Sequence, residues 1–517
     1  MGNRLEPFGI ASHHRTEPMK GRPDPDSESD SLELAPAKPP GRLVVVSNRV
    51  PLPTKDGTSS AGGLAVALEG ALKQKGGLWF GWSGKTVDRP GSIPTIHQAG
   101  NITFAVLDVL KKDFDLFYAG FANQALWPIC HYRLDLLQID RQQTEGYFRV
   151  NGTFAEALAP LLRPEDTLWV HDYHFIPLAA ELRRLGCRNR IGFFLHIPWP
   201  PADVASALPA YMRLLNGLTA YDVVGFHTPQ DAENFRHCLV RERIGFPLAN
   251  GDYQVDAHRF KIGVFPVGID TDNFTQTAAS AMRSPLVRRM KASMGDRALI
   301  IGVDRLDYSK GIKERIEAFS CFIRSNPSFR NRVTYLQVTP KSRSDVPEYK
   351  RMQHEIAEQA GWTNGNLGEV DWTPIRYVNK TYGHVALAGL YRMARVGLVT
   401  PLRDGMNLVA KEFVASQNPE DPGVLILSRF AGAMYELDAA LLVNPYDTET
   451  MSAAIATALT MSFEERRERW QSLMGKLRAN SIGHWCQSFL AALREDETTG
   501  PRSGRRPSRS RIVHAAG

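Results

Sequence analysis

The stretch TPLRDGMNLVAKEFV, residues 400–414, decides the fold class, because it joins a strand pattern to a helix pattern. The apolar run just before it, VGLV at residues 396–399, is typical of a buried strand. Within the stretch, Leu408, Phe413 and Val414 recur at roughly helical spacing. Strand, turn and helix in this order form the repeating unit of an α/β protein with a parallel sheet.

The polar turn inside this stretch has two interpretations. Asp404 and Asn407 are residue types that cap helices, so ordinary capping explains the turn. Alternatively, the turn holds a ligand, because Asp404 and Glu412 place two carboxylates beside a helix N-terminus whose N–H groups attract anions. Only residues elsewhere in the chain can decide between the two.

Eight other apolar runs repeat the strand pattern, and the segments between them are long enough for crossover helices. Four of the nine runs precede residue 250 and five begin at residue 298 or later, so we expect a domain boundary near residue 267. The predicted fold class is α/β, with two Rossmann-like, doubly wound domains, 41–266 and 267–478, that face a central cleft. The other eight runs are RLVVVS, TLWVH, IGFFLHI, VVGFH, ALIIGV, VTYLQV, GVLILS and ALLVN.

Composition and charge exclude several classes of protein. The 517 residues are 43% hydrophobic and 23% charged, as in globular proteins, and we find no apolar run of about 18 residues that would predict a membrane span. Most of the net charge of +7 lies in five arginines after Glu497, so no nucleic-acid partner is expected. The five cysteines are widely spaced and odd in number, which indicates neither a disulfide framework nor a metal site. We expect disordered ends at 1–40 and 497–517 and, without a signal-peptide core, a cytoplasmic protein with no membrane partner.

Residues suited to ligand binding follow the predicted strands of the first half, where a parallel sheet binds its ligands. Taken singly, each has a structural explanation: a glycine pair is commonly a turn, and a lone histidine is commonly a core residue. Together they lie where a cleft between two sheets is expected. They are Arg49 after RLVVVS, Gly62 and Gly63 before a helix pattern, HDYH (171–174) after TLWVH, and His196 before prolines that end its strand.

The second half carries cations in the same positions. Arg305 and Lys310 share the turn after ALIIGV, although a helix N-terminus already bears partial positive charge. A bound anion resolves this conflict, which favours a phosphate site. The alternative pairs Arg305 with Asp304 or Asp307 and leaves Lys310 in solvent. Arg343 lies just beyond the strand VTYLQV and adds a further cation at this edge.

Eight motifs, in this order and spacing, closely resemble the trehalose-6-phosphate synthases, which are retaining glycosyltransferases of family 20 with the two-Rossmann GT-B fold. The resemblance spans about residues 42–495. It also implies a terminal helix at 479–496 that returns to the first domain. The motifs are SNR…AGGL, LWFGWSG, LWPICHYRLD, HDYH, FFLHIPWP, RLDYSKG, SRSDV and TPLRDGMNLVAKEF.

The resemblance implies a reaction and its partners. Members of this family join the glucose of UDP-glucose to the anomeric hydroxyl of glucose 6-phosphate, giving α,α-trehalose 6-phosphate and UDP, without a metal ion or other cofactor. It further implies a homo-oligomer with a role in trehalose biosynthesis and osmoprotection. The residues themselves leave ADP-glucose and GDP-glucose open as donors, because no base-reading residue is evident.

The resemblance also implies roles for the donor residues. Arg305 and Lys310 match positions that bind the donor diphosphate and stabilise the departing UDP. Asp404 matches the contact with the glucose hydroxyls, and Glu412 matches the contact with the ribose hydroxyls. The other matching donor positions are Gly405, Met406, Asn407, Leu408 and Val409 in the turn, with Gly62 and Gly63 in a loop that closes over the donor.

Acceptor and catalytic roles are implied in the same way. His196 matches a position near the donor glucose, and Asp172 one that contacts the acceptor sugar. With Arg305, Lys310 and Asp404, these two complete the expected catalytic set. The positions that match the glucose 6-phosphate site are Arg49, Tyr118, Trp127, Asp172 and Arg343.

Features of the chain bear on three alternative functions. The segment VGIDTDNF offers Asp270 and Asp272 as nucleophile and acid of a magnesium-dependent phosphatase, although Phe274 stands where that motif expects a small residue. A non-catalytic sugar-phosphate sensor on the same fold would be expected to lack donor residues that are present here. A synthase that uses glycerol 3-phosphate as acceptor would share the donor site and differ around Tyr118 and Trp127, which here resemble the trehalose-6-phosphate synthases.

Overall fold

The computed structural model of the protein describes residues 41–52, 68–70, 72–73, 76–89, 93–340 and 347–494. Two separate sheets form the framework of these residues, one of ten strands and one of six. The buried strands read as continuous apolar runs because helices cover both faces of each sheet, as expected of parallel sheets.

The first sheet has the strand order β3-β4-β2-β1-β5-β6-β7-β10-β9-β8. Its centre, from β4 to β10, is parallel, and β3, β9 and β8 add antiparallel edges. The strands are β1 Leu43–Arg49, β2 Gly77–Val87, β3 Thr95–Ala99, β4 Ile102–Leu110, β5 Thr167–His171, β6 Arg190–Phe194, β7 Val223–Phe226, β8 Phe246–Pro247, β9 Tyr253–Val255 and β10 His258–Val264.

The second sheet is wholly parallel, with the order β13-β12-β11-β14-β15-β16. Because β11 and β14 are neighbours, the turns that follow them meet at one edge of the sheet. The strands are β11 Ala298–Val303, β12 Val333–Val338, β13 Ile375–Val378, β14 Val396–Val399, β15 Val424–Ser428 and β16 Leu441–Val443.

Helices connect the strands and cover the sheets. In the first half they are Lys111–Phe114, the π-helix Asp115–Leu126, Trp127–Cys130, Arg141–Leu158, Leu178–Arg184, Ala202–Ala205, Tyr211–Leu218 and Pro229–Arg241. In the second half they are Thr271–Ala281, Pro285–Met294, Ile312–Ser325, Pro347–Leu367, His384–Met393, Leu408–Ser416, Thr448–Thr460, Phe463–Ala479 and Ile482–Arg494. Among the described residues, none of these helices is both long and apolar enough to cross a membrane.

The nine predicted strand runs all form strands, and the predicted α/β fold class is confirmed. One strand end is wrong: β6 stops at Phe194, whereas the prediction carried it to His196. The pattern missed β2 because glycines and a serine interrupt its aromatic residues after Phe80. It also missed β4, β10 and the short edge strands.

The chain crosses between the sheets twice. The first crossing lies between the end of β10 at Val264 and the helix that begins at Thr271. The second brings helix Ile482–Arg494 back to the first sheet, where the ring of Phe489 stacks on Trp169 with centroids 4.8 Å apart. A Cβ on Gly192 of β6 would lie 2.7 Å from the Phe489 ring, so only glycine lets this helix approach so closely.

Candidate active site

The helix that begins at Leu408 has no side-chain cap. Asn407 precedes it with φ 75°, a left-handed conformation that asparagine tolerates better than most residues. Its side-chain amide donates to Asp404 Oδ2 at 3.0 Å and leaves the helix N–H groups alone. The capping interpretation is therefore wrong, and the first turn of the helix keeps N–H donors that can bind an anion.

The turns after β11 and β14 form one structure. Leu402 N–H donates to the Ser309 carbonyl at 2.8 Å. Lys310 Nζ forms an ion pair with Asp404 Oδ2, and the two side chains are only 12% and 14% exposed. The alternative that leaves Lys310 in solvent is thus wrong. An ammonium group and a carboxylate instead lie together beside the uncapped helix at Leu408.

Arg305 faces the first half of the chain. Its guanidinium lies 4.7 Å from the ring centre of Trp127, a geometry in which a cation is attracted to an indole face. As the alternative expected, Arg305 Nη2 pairs with Asp307 Oδ2, at 3.8 Å, and the Arg305 side chain remains 42% exposed. Trp127 Nε1 also points to Asp307 Oδ1, at 3.4 Å. Asp304 pairs with Arg315 instead, so Arg305 keeps an exposed fork beside a residue predicted to bind the acceptor.

Glu412 lies one turn into the helix from Leu408, and among the described residues one weak hydrogen bond holds it. Tyr391 donates its hydroxyl to Glu412 Oε2 at 3.5 Å. Removal from water raises the pKa of Glu412 to about 7, because this bond only partly offsets the desolvation. A carboxyl group with spare acceptor capacity is therefore available next to the helix start.

Two neutral histidines lie at one edge of the first sheet, His171 as the last residue of β5 and His196 two residues after the end of β6. His171 Nδ1 and His196 Nε2 are 3.1 Å apart, so one proton lies between the two rings. Burial lowers the pKa of His196 to about 3, and burial also lowers that of His171, so both rings are uncharged at neutral pH. Asp172, in a left-handed conformation with φ 76°, accepts from His196 N–H at 3.2 Å.

The turn before Leu408 lies directly against this histidine. A Cβ on Gly405 would lie 2.4 Å from the His196 carbonyl oxygen, so glycine is needed for the close approach. Met406 is buried, and its carbonyl accepts from Ala433 N–H at 2.8 Å. The structure therefore brings His196 of the first half together with the predicted donor turn of the second.

Arg49 and Tyr118 both adjoin Trp82. Arg49, the last residue of β1, is exposed and is paired in register with Trp82. Its guanidinium lies over Gly84, where a Cβ would be 3.0 Å from Nε. The ring of Tyr118 lies 6.0 Å from that of Trp82 and stacks on His174 at 5.7 Å. An exposed arginine thus stands beside an aromatic wall in the first half.

Three predicted residues, Gly62, Gly63 and Arg343, lie outside the described residues. The sequence reading missed two residues that touch the site. Tyr391 contacts Glu412 from a neighbouring helix, which no local pattern reveals. Arg403, inside the decisive stretch, lies 3.7 Å from the ring centre of Tyr132 and so adds a further contact between the halves.

The phosphatase alternative finds no support in this structure. Asp270 caps the helix Thr271–Ala281 by accepting from Asn273 N–H at 3.2 Å, which explains its position. Within the described parts of the chain, no group of three or more histidine, cysteine or acidic side chains could hold a metal ion.

Comparisons with known proteins agree with this geometry. The model of glycosyltransferase family 20 matches residues 41–495. A trehalose-6-phosphate synthase of Sinorhizobium fredii is 57% identical over 452 residues, which cover 87% of this chain and 97% of that relative. An α,α-trehalose-phosphate synthase (UDP-forming) from Burkholderia xenovorans, solved in complex with glucose 6-phosphate, has a TM-score of 0.83 and 45% identity, covering 88% of this chain and 100% of that one. The Escherichia coli protein solved with UDP-2-fluoro glucose has a TM-score of 0.84 and 44% identity, covering 89% and 100%.

Proposed function

The chain belongs to glycosyltransferase family 20, and on this premise we propose how its site transfers glucose from UDP-glucose to glucose 6-phosphate. The products are α,α-trehalose 6-phosphate and UDP. One observation carries the assignment of the donor site: Lys310 and Asp404 form an ion pair beside the uncapped helix start at Leu408. Solved relatives that bind glucose 6-phosphate and UDP-2-fluoro glucose support the two substrates.

The donor diphosphate would lie between the two turns. Lys310 and Arg305 supply cations, and the N–H groups of Asn407, Leu408 and Val409 supply the donors of a helix start. As the bond from glucose to phosphate breaks, negative charge accumulates on UDP, and these fixed groups would stabilise it more than they stabilise the substrate. Their role in the reaction is therefore electrostatic.

The sugar parts of the donor would meet neutral and acidic acceptors. Asp404, held in place by Lys310 and Asn407, would accept from the glucose hydroxyls. Glu412 would accept from the ribose hydroxyls. His196 would lie near the glucose as a neutral ring, since one of its nitrogens already faces His171.

The acceptor would bind mainly to the first half. Arg49, with its exposed fork, suits the phosphate of glucose 6-phosphate, and Arg343 is proposed for the same phosphate. The rings of Tyr118 and Trp127 would pack against the sugar. Asp172 would hold the acceptor hydroxyls. Because Trp127 also contacts Arg305, acceptor and donor would lie on either side of one shared ring.

UDP binding should weaken as pH falls below about 7, because Glu412 then becomes protonated in the free protein. Ribose hydroxyls donate to the ionised carboxylate, so bound UDP lowers the pKa of Glu412 and binding releases a proton. The dissociation constant should rise by up to about tenfold per pH unit below this pKa and should level off above it. Calorimetric titration of UDP from pH 5.5 to 8.5 tests this.

The matched control for that titration is Glu412→Gln, which keeps the shape of the side chain but cannot ionise. UDP itself titrates in this range, and the variant retains that contribution. The difference between the two pH profiles belongs to Glu412. Identical profiles would show that Glu412 does not contact the ribose.

A chain of residues 41–497 should keep its fold and its specific activity. The support is that the family match covers 41–495, so the excluded ends lie outside the part shared with relatives. Activity assays and thermal melts of the shortened and full chains make the comparison. Precipitation or loss of most activity would show that the ends are needed.

Domain limits, assembly and location are also proposals. We propose an acceptor domain at 41–266, a donor domain at 267–478 and a returning helix at 479–496, supported by the two sheets and by the contact of Phe489 with Trp169.

We further propose a homo-oligomer, by analogy with the family. A cytoplasmic location is supported by five unpaired cysteines, which suit a reducing compartment.

The reaction is tested by product identification. Purified protein is incubated with glucose 6-phosphate and, separately, with UDP-, ADP- and GDP-glucose. We expect α,α-trehalose 6-phosphate, identified by NMR from its two α-linked anomeric positions, with UDP-glucose as the best donor. Failure to form a disaccharide phosphate from any donor would overturn the proposed function.

A further inference from the structure

We propose that Arg315 is a positioning residue that fixes the two donor turns relative to each other. This inference rests on the proposed function, since it concerns the same donor site. Arg315 lies in helix Ile312–Ser325 and its side chain is 0% exposed. The side chain is closed off from solvent and bonds to the backbone of the Lys310 turn, so its effect on the reaction would pass through the residues it holds.

The hydrogen bonds of Arg315 join three strand ends and one turn. Nη2 donates to the carbonyl of Lys310 at 3.0 Å, and Nε donates to Thr400 Oγ1 at 3.1 Å. Nη1 donates to Asp304 Oδ2 at 2.8 Å and to Gln337 Oε1 at 3.1 Å. Asp304 follows β11, Gln337 is the penultimate residue of β12 and Thr400 follows β14, so one guanidinium spans the edge of the sheet on which the donor turns stand.

The surroundings of this guanidinium leave it little freedom to move. A Cβ on Gly302 would lie 2.7 Å from Arg315 Nη1 and 2.6 Å from Gln337 Oε1. On the other side, Gly311 has φ 63°, and a Cβ there would lie 2.4 Å from the Thr400 carbonyl. Gly302 thus leaves room for the Arg315 guanidinium, and Gly311 lets the Lys310 turn approach the Thr400 backbone. Rigid support of this kind is what a preorganised site requires.

The residue type fits the role. A planar guanidinium offers five donors in a fixed fork, whereas a lysine ammonium is a single point that cannot reach Asp304, Thr400 and the Lys310 carbonyl together. A buried ion pair such as Arg315 with Asp304 is weak as a stabilising device, because desolvation offsets most of the attraction. Its geometry is explained if it holds Lys310 and the turn that bears Asp404 in register for the diphosphate.

Arg315→Lys tests the inference, with Arg466→Lys as the matched control. Arg466 is another buried arginine of the second half, with hydrogen bonds to Asp421 and the Pro422 carbonyl. Melting temperature, UDP affinity by calorimetry, and KM for each substrate are measured for both. We expect Arg315→Lys to weaken UDP by roughly tenfold or more and to raise KM for UDP-glucose, with KM for glucose 6-phosphate within about twofold.

The control separates positioning from stability. Arg466→Lys should lower the melting temperature while leaving UDP affinity within about twofold of the parent protein. If both variants lose stability and both keep UDP affinity, Arg315 is only structural and the proposal is overturned. Equal losses in donor and acceptor KM would also overturn it.

Chemical rescue of UDP affinity provides a further test, because a residue with a purely structural role should not show it. In Arg315→Ala, millimolar guanidinium should enter the vacated space and restore part of the UDP affinity, and it should have no such effect on Arg466→Ala. If the Arg315 variants do not fold, Thr400→Val decides, since it removes one Arg315 partner from a buried site with little change in volume. We expect it to weaken UDP by about three- to tenfold. Unchanged UDP affinity in Thr400→Val would then overturn the proposal.

Lys310→Ala distinguishes a failure of the proposal about Arg315 from a failure of the proposed function. If the parent protein binds UDP and Lys310→Ala weakens it, the donor site stands and the Arg315 result bears only on positioning. If Lys310→Ala leaves UDP affinity unchanged, the donor site itself is misplaced, and the inference about Arg315 falls with it.

Discussion

Replacing Lys310 with alanine should lower kcat/KM by roughly 10²-fold or more, comparable with the loss of one preorganised electrostatic donor. Two effects act in the same direction. The variant removes a cation aimed at the leaving diphosphate, and it leaves the largely buried carboxylate of Asp404 without its ion-pair partner. Arg305→Ala should give a loss of the same order, because it removes the second cation of the site. Steady-state kinetics with both substrates varied provide the measurement.

Lys313→Ala is the matched control for this experiment. Lys313 lies three residues further along the chain, is 48% exposed, and pairs with Glu355 on the surface. Its loss should change kcat/KM by less than about twofold, since exposed ion pairs contribute little. A loss below about threefold in both Lys310→Ala and Arg305→Ala would contradict the donor assignment.

Arg49→Ala should raise KM for glucose 6-phosphate by roughly 10- to 100-fold, the effect of losing a charge-assisted fork to a dianion. UDP affinity should stay nearly unchanged, because Arg49 belongs to the first half, at the end of β1 beside Gly84. Arg343→Ala should behave in the same way, because Arg343 is proposed to bind the same phosphate. The measurements are acceptor KM and calorimetric titration of UDP.

An exposed neighbour provides the control for Arg49. Lys85 follows Gly84 in the chain, so Lys85→Ala tests whether any positive charge in this region suffices. It should change acceptor KM by less than about threefold. If UDP affinity collapses in Arg49→Ala while acceptor KM stays constant, the division of the site between the halves is reversed.

The fold followed from the sequence wherever one strong local signal was enough. Val396–Val399 and the other buried strands read as apolar runs because parallel strands are covered on both faces. β2 was not predicted because Gly81, Ser83 and Gly84 interrupt the apolar pattern. Its residues from Gly77 to Trp82 nevertheless pair with β1. Such strands are set by their neighbours in the sheet, which local sequence does not encode.

The candidate site, too, could be predicted from the sequence only where a local signal was enough. That Lys310 and Asp404 both follow strands was readable from the sequence, and the meeting of such turns at one sheet edge is a property of parallel sheets. Their ion pair joins residues 94 positions apart and depends on β11 and β14 being neighbours, which only the tertiary structure reveals. Asn407 was expected as a helix cap, but its backbone is left-handed and its side chain donates to Asp404 instead.

Hydrogen exchange with and without UDP tests most directly whether the uncapped helix start at Leu408 binds the diphosphate. The first N–H groups of a helix have no partner within it, so in the free protein they should exchange quickly. UDP should slow exchange in the segments 405–410 and 305–311 of the parent protein, and this protection should be largely lost in Lys310→Ala. Unchanged exchange in both segments, with protection confined to the first sheet, would contradict the account.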